Sequence, residues 1–91
     1  MDKDKSSELF VALVYSLQMQ AMMNLGKIKN PMTEVIEKNL EAASVSIDMV
    51  DMLLNKAKEG FTEEETKVLE HIVSDLRLNY VNESGKELDK E

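Results

Sequence analysis

The chain has 91 residues, 18 acidic against 11 basic, giving a formal net charge of −7, and it contains no cysteine. That length makes a single domain near the lower limit for an independent core. The acidic balance argues against nonspecific nucleic-acid binding and against docking on anionic lipid, both of which need cations, while the missing cysteines remove a disulfide framework, a thiolate zinc site and a cysteine nucleophile.

Residues 1–5 form a charged start. Ser6 or Ser7 is placed to cap a first helix over about 7–25, with Glu8 in the first turn at the positive end of the dipole. From Leu9 to Leu25 the chain carries no charged residue, although 32% of the whole chain is charged. The apolar side chains of this stretch surround the helix instead of gathering on one face, so it must be buried on several sides. A membrane span is disfavoured by Ser16, Gln18, Gln20 and Asn24, and the leader MDKDKSSE is not net positive as an export signal would be. The expectation is a cytoplasmic chain. Gly26 supplies a left-handed stop, and Asn30-Pro31 marks a true break.

Thr33 is the candidate cap of a second helix over about 34–59, with an irregular stretch to Lys38 as the alternative. Ile36, Leu40, Ala43, Ile47, Val50, Leu54 and Ala57 make a 4-3 seam. Ala42, Val45, Met49 and Met52 make a second apolar side, and Glu37, Glu41, Ser44, Asp48, Asp51 and Asn55 form the polar strip. A helix apolar over so much of its circumference needs partners on both sides. Gly60 ends it. Thr62 with Glu65 is a capping box opening a third helix over about 63–81, with Phe61 at the stapling position. Val68, Leu69, Ile72, Val73, Leu76 and Tyr80 are its apolar stripe. Residues 82–91, polar and containing Gly85, are read as a disordered acidic tail outside the 1–81 domain.

The architecture expected is an all-α, three-helix antiparallel bundle, completed by homodimerisation because two of its helices carry more apolar surface than one bundle hides. The candidate interface residues are Leu9, Leu13, Tyr15, Met19, Met22 and Met23 on the first helix and Met49 and Met52 on the second. Seven methionines, against two phenylalanines and no tryptophan, suit an adaptable surface. An interhelical Asp48–Arg77 pair is expected to set the register of the second hairpin.

Catalytic patterns are weak. No glutamate stands three residues before the single His71, as a di-metal bundle site would need, and Ser74 and Asp75 on the same helix cannot converge with it as a triad. The three glycines form no phosphate-binding loop. The expectation is therefore a non-enzyme without metal or cofactor. It would be a self-associating or protein-interaction module that binds neither nucleic acid nor membrane. A regulatory subunit lending its apolar helix to a larger protein, and a carrier of small apolar ligands with a methionine-lined cavity between helices one and two, are the alternatives.

The order FVALVYSLQMQAMMNLG, an N-P segment, IDMVDMLLNKAKEGFTEEE and LRLNY resembles a family of short bacterial proteins known as domain of unknown function eighteen forty-four. Leu25-Gly26 corresponds to its Leu-Gly helix end, Ile47-Asp48 to its Ile-Asp, and Leu76, Arg77 and Tyr80 to its Leu-Arg-x-x-Tyr end. Its Lys-Thr-x-Gly-Asn-Leu turn is matched only partly, by Lys56, Gly60 and Thr62, with Ala57 in the usual threonine place. The resemblance implies a small helical bacterial cytoplasmic protein and carries no activity with it.

Overall fold

Helix boundaries follow the caps. A computed structural model describes residues 2–89, in the order α1 (Lys3–Asn24), α2 (Leu40–Ala57), a short 3-10 turn (Lys58–Gly60) and α3 (Glu63–Asp89), with no strand among the described residues. α1 starts a turn before the serines expected to cap it. Asp2 is the cap, its side chain accepting from the Lys5 amide at 2.7 Å. The C-terminus of α1 closes as expected at Gly26, which has φ 78°. The Gly26 amide donates to Met23 O and the Lys27 amide to Met22 O, both at 3.0 Å, the paired bonds of a Schellman end.

α2 begins at Leu40 rather than near Glu34. The residues between are held by a different set of bonds. The Met32 amide donates to Asn30 Oδ1 at 2.8 Å, the Glu34 amide to Asn30 O at 2.7 Å, and Asn30 N to Val35 O at 2.9 Å. Glu34 takes φ 62°, which no continuing helix tolerates. Asn39, not Thr33, is the cap: its Oδ1 accepts from Ala42 N at 3.0 Å, and its own amide donates to Asn24 O at 2.7 Å, tying the start of α2 to the end of α1. Ile36, which continued the 4-3 spacing, lies in this connection and is 58% exposed. From Leu40 onward the seam behaves as read, with Ala43, Ile47, Val50 and Leu54 buried.

α3 opens on the capping box, with Thr62 N donating to Glu65 Oε1 at 3.0 Å and Glu65 N to Thr62 Oγ1 at 3.1 Å. Phe61 stacks on Phe10 of α1, ring centroids 4.7 Å apart and tilted at 53°. It thereby joins the start of α3 to α1. The helix runs on to Asp89, so residues 82–89 of the 82–91 segment expected as a disordered tail are helical; residues 90 and 91 lie outside the described part. Leu69, Ile72, Val73 and Leu76 are buried, and Glu83, one heptad past Leu76, is buried too.

The three helices form an antiparallel bundle in which α1 packs chiefly on α2, α2 on α3, and α1 only lightly on α3. Val14, Ala21 and Leu25 bring the α1 side of the core, with Phe10, Leu17 and Met22 packed around it. The result is a flat, long body of 50 × 26 × 17 Å. With a thickness little more than one helix plus its side chains, such a body must leave broad helical faces outside its core.

Candidate interaction surface

Helical geometry sorts the apolar residues of α1 into three strips. Phe10, Val14, Leu17, Ala21 and Leu25 recur at three- and four-residue steps and face the core. On one flank Val11 and Tyr15 meet Val68 and Leu69 of α3 around a cavity of about 300 Å³, rimmed by Glu64 and Glu65. On the opposite flank of α1 stand Leu9 and Leu13. α2 divides in the same way. Its Asp48 and Asp51 turn toward α3, where Arg77 meets them, and this leaves Val45, Met49 and Met52 on the far side from α3.

Of the eight candidate interface residues, Leu9, Leu13, Tyr15, Met19, Met49 and Met52 are between 44% and 56% exposed. For large apolar side chains that is a substantial area in water. Met22 differs, being half-buried against the core. Met23 is half-buried at the rim of a polar cavity shared with Gln20, Asn24, Asn30, Lys38 and Asn39. The exposed residues are not one patch. Met49 and Met52 lie on the side of α2 away from α3, Tyr15 on the α1–α3 side, Leu9 and Leu13 on the flank of α1 away from Tyr15, and Met19 points away from both the core and Leu13. Sequence reading did not single out Val68, which is 51% exposed, as part of a surface, because it fitted the α3 stripe equally well.

The structure brings Asp48 and Arg77 together and adds a second acid. Arg77 Nη2 donates to Asp51 Oδ2 at 2.9 Å and to Asp48 Oδ1 at 3.3 Å. One nitrogen serves two carboxylates, so neither contact is a bidentate fork. Arg77 is held above its ordinary pKa, chiefly by the hydrogen bond to Asp51; burial opposes this, and Asp48 adds to the rise. All three side chains are well exposed, and exposed pairs are weak. Arg77→Ala should lower unfolding stability by no more than about 1 kcal/mol. A urea titration checks this, and a loss several times larger would make the triad a structural keystone.

A second ionic cluster was invisible in the sequence. Glu83 Oε1 lies 3.7 Å from Lys27 Nζ and 3.9 Å from Lys38 Nζ, while Oε2 lies 3.1 Å from Lys86 Nζ. Oε2 is buried and makes no aligned hydrogen bond, so Lys86 serves it as an ion pair. The Lys86 ammonium is the main reason the Glu83 carboxyl is held below its usual range; burial pushes the other way, and Lys27 and Lys38 add to the lowering. Lys27 and Lys38 lie in the α1–α2 connection, so this carboxylate ties the connection to the α3 extension. Because the folded pKa is lowered, the cluster stabilises the fold above the ordinary carboxylate range and loses that effect as pH falls through the folded value. Glu83→Gln should therefore lower the melting midpoint at pH 7, and the gap from the parent protein should close on acidification below about pH 4. A gap unchanged by pH would point to packing and not charge.

His71, Ser74 and Asp75 are all exposed on α3, and no group of three or more His, Cys, Asp or Glu that could hold a metal occurs among the described residues. No described helix is long and apolar enough to cross a membrane. A family model described as Domain of unknown function (DUF1844) matches residues 7–82. No curated protein and no solved structure matches the chain.

Proposed function

Because the chain belongs to the DUF1844 family over nearly its whole length, and that family's description carries no activity, we propose from the surface itself that it is a non-catalytic interaction module that self-associates. The observation that carries this reading is the exposure of Leu9 and Leu13 on α1 and of Met49 and Met52 on α2, each about half in water. Those side chains would be withdrawn from water by a partner at roughly 25 cal/mol per Å². A composition without cysteine suits work in a reducing cytoplasm.

Size-exclusion chromatography with light scattering is the direct test. The parent protein should run at twice the 10.3 kDa of one chain, and Met49→Glu should shift it toward one chain without loss of helicity. Met49 is the better position for this than Met22, whose contact with the core means that a glutamate there would unfold the chain. A parent protein that stays monomeric across a wide concentration series would sink the reading.

The carrier alternative draws on the apolar cavity of about 300 Å³, but that cavity lies between α1 and α3 and its lining includes no methionine. It is a shallower match to the surface than self-association.

A further inference from the structure

We infer that the outward strip of α2 is a two-fold contact, in which α2 of one copy lies antiparallel on α2 of a second copy with the axis passing near Met49. This rests on the self-association reading and names its partner surface. Three observations carry it.

The first is chemical. Copies of a chain with a net charge of −7 repel, so contact is favoured where acids are absent or are met by a base. Ala42, Val45, Met49 and Met52 recur at steps of three, four and three residues, a seam with no charged residue in it, and the last three are about half exposed.

The second is the symmetry of what lies along the seam. A two-fold contact pairs residue i with j and j with i. Counting from Met49, Val45 is four residues back and Met52 three forward, so Val45 of each copy meets Met52 of the other. Glu41 is eight back and Lys56 seven forward, both exposed. At 1.5 Å per residue each stands about 11 Å from the axis, on opposite sides of it, and the antiparallel arrangement sets the acid of one copy against the base of the other at both ends. Within one helix the two lie about 22 Å apart and cannot pair.

The third is the flank. Leu9 and Leu13 of α1 are also about half exposed, apolar surface beyond the α2 strip on which an interface of stable size can draw. The α1–α3 groove has a less suitable rim, since Glu64 and Glu65 would face acids of an equally acidic second copy.

The chain has no cysteine, so single cysteines report without background. Met49→Cys should be joined into a covalent dimer by a short bis-maleimide, while Val68→Cys on the α1–α3 side should remain single. Glu41→Lys and Lys56→Glu should each raise the dimer dissociation constant several-fold, and the double exchange should restore it, because only a contact between copies can be rescued this way. If the parent protein is dimeric but Val68→Cys links and Met49→Cys does not, the α2 contact is overturned and self-association stands. If the double exchange fails to rescue, the antiparallel register is overturned. A parent protein that is monomeric throughout leaves the strip to a different protein, and overturns both this contact and the reading on which it rests.

Discussion

Leu76→Ala should remove about 3 kcal/mol of unfolding free energy, within the roughly 2–5 kcal/mol seen when a fully buried leucine is truncated. Leu76 has no exposed surface and sits in the middle of α3, where it faces the core formed by α1 and α2. Its removal leaves a cavity that packed helices on either side cannot close. In a chain of this size, the loss is a large fraction of the whole stability. The control is two residues away. Leu78, 60% exposed on the same helix, should cost no more than about 0.5 kcal/mol when cut to alanine. Urea titrations followed by helicity, at one fixed protein concentration because association adds to stability, separate the two. Equal losses would mean that α3 presents a different side to the core.

That contrast shows what was legible before any coordinates. Of the α3 stripe read from Val68 to Tyr80, Leu69, Ile72, Val73 and Leu76 are buried because apolar residues at helical spacing have one economical arrangement, with the stripe inward, while Val68 at its edge is 51% exposed. The capping box at Thr62 was equally plain, since both of its reciprocal bonds are encoded within four residues. The α1–α2 connection is the opposite case, because the sequence leaves open both a helix from about residue 34 and an irregular stretch to Lys38. Ile36 happens to stand four before Leu40, so periodicity alone extended α2 backward through a segment whose bonds converge on Asn30. Asn39 before Leu40-Glu41 was itself a readable cap, but the seam outweighed it.

The end of α3 was lost because composition was used where position mattered. Glu83 occupies the place of Leu76 one heptad later, but a glutamate in a polar stretch looks solvated. Its neutralising partners, Lys27 and Lys38, come from a connection far away in sequence, so no local pattern reports them. For the Arg77 contact, hairpin counting reached Asp48, and the closer Asp51 was missed because both acids were assigned to one solvated strip. The candidate surface was legible as an excess of apolar residues on α1 and α2. Which of them face outward was not, since α1 is apolar nearly all round and only the packed bundle separates Met22 from Met19.

A pair of buried alanines on α1 and α2 gives the second large effect. Ala21 and Ala43 have no exposed surface, and they lie at matching levels of the α1–α2 hairpin: four residues before Leu25 and four after Asn39, which bracket its closed end. Small residues facing each other at one level let two helices approach. Ala43→Leu adds three carbons where neither backbone can withdraw without disturbing Val14, Ile47 and Val50. Overpacking of this kind costs about 1–3 kcal/mol, and here the upper half of that range is expected, because the bond from Asn39 N to Asn24 O at 2.7 Å anchors the nearby end of the hairpin. The compensating change supplies the test. With Ala21→Gly in the same chain, part of the volume returns, and the double variant should be more stable than Ala43→Leu alone even though glycine inside a helix costs about 1 kcal/mol by itself. If the two changes simply add, Ala21 and Ala43 do not face each other and the α1–α2 register is other than described.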